Sequence, residues 1–235
     1  MTRKPRSSRL PPKLPDHAAD RPARDDELAP RTLRQLLKER HVAGRSVRFG
    51  REEVAGTMRR VAQGAPAQLC GLTAFPGLTL EHVEAAVTAL YGWEGDGPRA
   101  RIAPSCTIDG FTNAVLRVLE VARGNGRIAF ATARPASLLP VHRRLAARAA
   151  AEGGDVLEAE ETAGFGPGGR RIRWIDHVAV LTDGAALLAD GSVEATEEWL
   201  FTLPRPDLVV ADHLYAGVAS ACGMETPALA RAAFP

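Results

Sequence analysis

The sequence predicts an α/β fold with a mostly parallel sheet, flanking helices and a single domain. Through the second half of the 235-residue chain, short apolar runs alternate with segments of helical periodicity. Such alternation is typical of strand–helix–strand units, whose right-handed crossovers build parallel sheets. Apolar residues make up 45% of the chain, which is enough for a sizeable core. The length suits one domain, placed at residues 30–235, behind a tail.

Residues 1–29 are predicted to form a disordered tail. They include five prolines, seven basic and five acidic residues, with few large apolar side chains. Such a segment buries too little surface to offset the entropy of its chain. An alternative is a basic tail that docks on RNA or a partner, although runs of charge are more often simply solvated.

Helical spacing dominates the first half of the domain. Apolar residues recur there at intervals of three and four. The predicted helices are Arg31–Glu39, Arg51–Ala62, a segment from the N-cap Thr79 through Leu90, and Phe111–Ala122. The run Gln68–Leu72 is short and apolar, which favours a buried strand.

Strands and helices alternate in the second half. The predicted strands are Arg127–Thr132, Asp155–Leu157, Arg171–Trp174, His177–Leu181 and Asp207–Ala211. The predicted helices are Ala136–Glu152, Glu194–Leu200 and Leu214–Ala221. Thr182–Gly184 is predicted to be a turn.

Polar residues follow the strand RIAFAT (127–132), where an open parallel sheet binds its ligands. The amides of Ala136 and Ser137 begin the next helix, and a helix N-terminus attracts anions. Thr132 ends the strand, and Arg134 adds a guanidinium suited to phosphate or carboxylate. These four residues predict an anion-binding site, and the alternative is an ordinary capped turn with a solvated arginine.

Asp212 and His213 follow the strand DLVVA (207–211), and such a pair can bind a metal ion or exchange protons. The alternative is that Asp212 caps the next helix and His213 is exposed. His142, on the helix after RIAFAT, is a candidate site residue or a packing histidine. Asp109, in a polar turn before the Phe111 helix, is a candidate site residue or an N-cap.

Other classes of protein are not expected. Met1–Arg6 is basic without an apolar stretch behind it, and no segment is apolar enough for a membrane. The three cysteines form no CxxC pair, which favours reduced thiols in a cytoplasmic protein. The sequence has neither a dinucleotide fingerprint nor a Walker loop, so we expect no nucleotide cofactor. A net charge of +2 does not favour a nucleic-acid partner.

Several segments resemble an actinobacterial family labelled phosphatase. Phe130–Arg143 reads FATARPASLLPVHR, where the family reads FATGHPGGLLDVHR. Asp207–Ala219 reads DLVVADHLYAGVA, where the family reads DLVVADHGWAGYA. Cys106–Gly110 is similar to the family segment DTIDPE, and the resemblance covers about residues 45–235.

The resemblance implies a phosphatase-like hydrolase of a small phosphorylated metabolite, in which Asp109, His142, Asp212 and His213 are retained site residues. A phosphatase needs a group that binds the phosphoryl oxygens, and Arg134 with the helix amides fits that task. It also needs a base, and an ion or arginine to neutralise charge; Asp212, with His213 or Asp109, fits these tasks, so a divalent metal ion held by Asp212 and His213 is expected.

The chain departs from the family pattern at several polar positions. Arg134 replaces a family histidine, Pro140 replaces an aspartate, and Ala189–Val193 lacks the family's HTHSPEP. These losses keep alternatives open: a homologue that binds an anionic ligand without turnover, a subunit that pairs with itself or a relative, or a different, non-hydrolytic reaction.

Overall fold

The computed structural model describes residues 32–93, 99–159, 169–189 and 192–229. Within them the helices are α1 (Leu33–Glu39), α2 (Arg51–Ala62), α3 (Pro66–Leu69), α4 (Leu80–Tyr91), α5 (Pro104–Arg123), α6 (Pro135–Ala151), α7 (Val193–Thr202) and α8 (His213–Ala221). The strands are β1 (Gly44–Gly50), β2 (Arg99–Ile102), β3 (Arg127–Thr132), β4 (Asp155–Val156), β5 (Arg171–Ile175), β6 (Val178–Thr182) and β7 (Leu208–Val210). The predicted tail, residues 1–29, lies outside the described residues.

Strand β3 is the centre of a mostly parallel, five-stranded sheet. One edge of β3 pairs in parallel with β7, and Phe130 lies opposite Val210. The other edge pairs in parallel with β4 and then with β6. Strand β5 is antiparallel to β6, and β1 and β2 form a separate antiparallel pair. The predicted α/β fold with a mostly parallel sheet is therefore confirmed.

Alternate residues of β3 and β7 face opposite layers of helices, as the two-residue period of a strand requires. Ile128 and Phe130 pack with α5 and α6 in one buried cluster. Ala129 and Ala131 pack with α7 and α8 in another. A third cluster lies between α2 and α4. The sheet is thus covered on both faces by helices, as the alternating sequence pattern predicts.

The chain after α8 returns to the sheet beside β7. The Val209 amide donates to the carbonyl of Glu225, and the Leu229 amide donates to the carbonyl of Ala211. Ala228 bridges to Ala211 in parallel. This segment supplies hydrogen-bond partners to the edge of β7 that faces away from β3.

Three features of the first half differ from the sequence prediction. The run Gln68–Leu72 is not a strand, because Pro66 begins the short helix α3 and Cys70 ends it in the left-handed conformation. Helix α5 begins at Pro104, seven residues before the predicted start at Phe111. Strands β1 and β2 were not predicted.

The second half agrees more closely with the prediction. The turn at Thr182–Gly184 forms, and the Asp183 side chain accepts hydrogen bonds from the amides of Ala185 and Ala186. In the described part of the chain, no helix is long and apolar enough to cross a bilayer.

Candidate functional site

The candidate site lies at the edge of the sheet where β3 and β7 end. Continuing the pairing of Phe130 with Val210 places Thr132 opposite Asp212. Both side chains then belong to the face that packs against α5 and α6. Helices α6 and α8 begin directly beyond these strand ends, so their N-termini lie at the same edge.

Asp212 occupies the N-cap position of α8 but does not cap this helix with its side chain. Its Oδ1 instead accepts a hydrogen bond from the amide of Ala133, at 3.1 Å, in the loop after β3. The carboxylate is only 1% exposed. The interpretation of Asp212 as a simple helix cap is therefore wrong, because its side chain joins the ends of two strands.

His142 lies behind Asp212 and is fully buried. Its Nε2 is 3.4 Å from Asp212 Oδ2, but neither atom makes a hydrogen bond within the described residues. Its Nδ1 is also buried and has no hydrogen-bond partner in the part of the chain that the structure describes. The structure thus brings together two of the predicted site residues, and neither is open to solvent.

The loop between β3 and α6 carries the predicted anion-binding residues. The hydroxyl of Thr132, itself buried, accepts a hydrogen bond from the Arg134 amide at 3.0 Å. The Arg134 side chain is partly exposed, and within the described residues no carboxylate pairs with its guanidinium. This leaves a positive group available to a ligand at the sheet edge.

The first turn of α6 offers fewer amides than the sequence predicts. Ala136 and Ser137 are both exposed. The Ser137 amide donates to the Arg134 carbonyl at 3.1 Å, so it is already engaged. The Ala136 amide has no hydrogen-bond partner among the described residues, as expected for the second position of a helix.

His213 follows Asp212 and has a left-handed backbone, with φ of 49°. Few residues other than glycine adopt this conformation, and it is a common form of local strain at functional sites. Both ring nitrogens of His213 are shielded from solvent. This conformation departs from a regular helix start at the position directly after Asp212, which makes no side-chain hydrogen bond to α8.

Asp109 does not join the other predicted residues. It lies on the exposed surface of α5, in the second turn, rather than in a turn before a helix. Among the described residues no hydrogen bond or ion pair connects it to Asp212, His142 or His213. Its predicted place in the site stays a prediction.

Two residues near the site were not predicted. Burial raises the pKa of the Cys70 thiol, and the nearby positive charge of Arg134 opposes that rise. Burial and the negative charge of Asp212 raise the pKa of Tyr215. Tyr215 could have been identified, because it lies inside the segment Asp207–Ala219 that resembles the family. No sequence signal points to Cys70, which is distant along the chain and comes near the site only in the folded protein.

Cys70 is held there by close packing on α8. A Cβ atom added to Gly217 would lie 1.7 Å from the Cys70 carbonyl oxygen, so only glycine permits this approach. The loop after α3 therefore contacts α8 directly, close to the strand ends.

Among the residues that the structure describes, the predicted metal ligands Asp212 and His213 do not belong to a larger ligand set. Within the described ranges, no three His, Cys, Asp or Glu side chains are placed to hold a metal ion. Both oxygens of Asp212 face protein groups, namely the Ala133 amide and His142. The predicted divalent ion stays a prediction.

The sequence matches the family model described as Phosphatase over residues 28–235. The chain belongs to this phosphatase family. A curated relative, Phosphatase SCO2771 from Streptomyces coelicolor, is 31% identical over 204 residues, which cover 83% of this chain and 77% of the relative. No solved structure gives a significant match.

The family assignment confirms the resemblance to an actinobacterial family labelled phosphatase, and it supports a phosphatase-like function. The matched region includes the whole candidate site, from Cys70 to Gly217.

Proposed function

We propose that this protein is a phosphatase-like hydrolase of a small phosphorylated metabolite. The observation that carries the proposal is the partly exposed guanidinium of Arg134, which has no carboxylate partner among the described residues and lies at the N-cap of the 17-residue helix α6. A helix N-terminus and a guanidinium both favour the charged oxygens of a phosphoryl group. Membership of a phosphatase family supports the same chemistry.

In the proposed reaction, water adds to phosphorus and the P–O ester bond breaks, releasing an alcohol and inorganic phosphate. Arg134 and the Ala136 amide would bind the phosphoryl oxygens and stabilise the charge that they carry in the transition state. The residues predicted to surround the attacking water are Asp212, His213, Asp109 and His142. His213 lies at the strand ends, whereas Asp109 is exposed on α5.

The experiment is to measure phosphate release from a panel of small phosphomonoesters, with and without Mg²⁺, Mn²⁺ or Zn²⁺. The test variant is Arg134→Ala. The matched control is Arg144→Ala, which removes an exposed arginine from the same helix. We expect kcat/KM of the Arg134 variant to fall about 10- to 100-fold, because a hydrogen bond to a charged group contributes about 1.5–3 kcal/mol.

The control variant should retain the activity of the unchanged protein. If the folded protein releases no phosphate from any ester under any metal condition, the proposed hydrolysis is wrong. Equal losses in the Arg134 and Arg144 variants would exclude Arg134 as the phosphate ligand.

A second candidate function is the binding of an anionic ligand without turnover. The burial of both Asp212 and His142 favours it, because neither side chain faces solvent where a reacting water would lie. Such a protein would gain thermal stability from inorganic phosphate without forming product. Pairing with a second copy or with a relative stays a prediction.

A further inference from the structure

We propose that Asp212 and His142 are a buried positioning pair, which fixes the loop of residues 132–134 so that Arg134 and the first turn of α6 face an anion. The inference rests on the proposed function, because it assigns these two residues a task within the same anion site. It replaces the expectation that they act directly on water or on a metal ion.

The direction of the Asp212 side chain is the first argument. An aspartate at an N-cap ordinarily accepts hydrogen bonds from the amides of its own helix. Asp212 makes no such bond to α8 and instead reaches the Ala133 amide on the neighbouring strand end. A residue that leaves its local partners in this way holds two separate segments of the chain together.

The hydrogen bonds of the loop are the second argument. Two successive amides are held by side-chain oxygens, that of Ala133 by Asp212 and that of Arg134 by Thr132. These two bonds fix the backbone directly before the Cα atom of Arg134, which carries the guanidinium. The direction in which Arg134 leaves the backbone therefore depends on Asp212.

The surroundings of the carboxylate are the third argument. Oδ1 faces the Ala133 amide, and Oδ2 faces His142 Nε2 at 3.4 Å. The side chains of His142 and Asp212 are 0% and 1% exposed. A bound phosphoryl group would thus contact Arg134 and not the buried pair. His142 would affect binding only by holding the Asp212 side chain in place.

The experiment compares truncating and conservative variants of the full chain. Asp212→Ala and His142→Ala remove the pair. Asp212→Asn retains an oxygen acceptor for the Ala133 amide, and His142→Gln retains a donor that can face Asp212. Val118→Ala is the control for general loss of stability, because Val118 is buried between α5 and the sheet, away from the loop.

Three quantities are measured for each variant: hydrogen exchange of the Ala133 amide by NMR, the Kd for inorganic phosphate by calorimetry, and the kinetic constants with their pH dependence. We expect both alanine variants to speed exchange at Ala133 and to weaken phosphate binding about tenfold or more. The conservative variants should stay within about threefold of the unchanged protein, with the same pH profile of kcat. Val118→Ala should leave the phosphate Kd unchanged.

Two results would overturn the inference. One is unchanged Ala133 exchange and phosphate affinity in both alanine variants. The other is a loss of kcat greater than about 100-fold in Asp212→Asn with phosphate affinity intact, which would give the carboxylate a direct chemical role.

Failure of the proposed function is a distinct result. An unchanged protein that binds phosphate but releases none would contradict hydrolysis alone, and exchange and affinity would still test the pair. An unchanged protein that binds no phosphate would contradict both proposals.

Discussion

The Asp212 carboxylate is buried at a point where the two strands and two helices of the site meet. Removing the acceptor of a buried hydrogen bond, such as that from the Ala133 amide, typically costs about 1–3 kcal/mol, because the remaining donor is left unsatisfied. That loss is a large part of the about 5–15 kcal/mol by which most proteins are stable. Alanine variants of His142 and Asp212 therefore change both the loop at residues 132–134 and the stability of the whole protein. Asp212→Asn and His142→Gln separate these two effects, because they keep polar groups at both positions.

The pKa of the Cys70 thiol depends on the positive charge of Arg134. We expect iodoacetamide to modify Cys70 more slowly than the exposed Cys222 at neutral pH, because burial raises the pKa of the Cys70 thiol and only the thiolate reacts. In Arg134→Ala the opposing positive charge is lost, so the midpoint pH of Cys70 modification should rise further. Mass spectrometry of each peptide across a pH series measures both effects.

The rate at Cys222 is the internal control and should not change in the Arg134 variant. A Cys70 midpoint that stays the same, or falls, would show that Arg134 does not lie near the thiol.

At the residue scale, the sequence identified which side chains belong to the strand ends but not the directions in which they point. Asp212, His213 and Arg134 follow apolar strands, and that order along the chain is visible without a structure. The contact of Asp212 with Ala133 joins residues 79 positions apart, so local pattern contains no sign of it. Cys70 could not be identified for the same reason, since it is distant from Arg134 along the chain. It comes close to Arg134 only because α3 and α8 pack together.

At the scale of elements, the contact between the Cys70 loop and α8 depends on a glycine. Gly217 lies within α8, where glycine is otherwise unfavourable compared with alanine. Its presence is explained by the Cys70 carbonyl, which occupies the space of the missing side chain.

Gly217→Ala should therefore destabilise the protein by about 1–3 kcal/mol, as expected for overpacking against backbone that cannot move freely. Gly110→Ala is the matched comparison, because Gly110 lies in α5 and an added Cβ would have no neighbour within 4 Å. That change should stabilise the protein by about 0.5–1 kcal/mol. Urea unfolding followed by tryptophan fluorescence measures both, and equal effects of the same sign would contradict the packing argument.

The elements that the sequence predicted well are those with long or strongly apolar patterns. Strands β3 and β7 and helices α6 and α8 were placed within one or two residues. The strand prediction at Gln68–Leu72 was wrong because periodicity does not distinguish a short apolar run in a strand from one in a helix. The start of α5 was missed because Gly110 interrupts the helical pattern, whereas the helix begins earlier, with Pro104 in its first turn.

For the molecule as a whole, several carboxyl groups favour the folded state when they are ionised. Each has a pKa lowered by hydrogen bonds or nearby arginines in the folded chain. They are Glu152, Asp183, Asp207 and Glu225. Because the unfolded chain binds more protons in this range, stability should fall as the pH drops below about 4.

The variant Glu225→Gln tests this origin, because Glu225 accepts two hydrogen bonds from Arg117 and so connects the segment after α8 to α5. Its Tm should depend less steeply on pH between about 5 and 3 than that of the unchanged protein. Glu84→Gln, on the exposed surface of α4, is the comparison and should keep the original slope. Identical slopes in all three proteins would show that this ion pair does not contribute.

The pairing of β3 with β7 has a consequence for the protein during its synthesis. Five of the six residues of β3 are buried. Its neighbouring strand β7 is translated much later, because Asp207, which pairs with Arg127 at the start of β3, follows it by 80 residues. A nascent chain that has not reached Leu208 therefore carries an apolar strand with an unpaired edge, and such edges recruit strands from other chains. We therefore expect the chain to bind chaperones or to aggregate most readily at this stage of its synthesis.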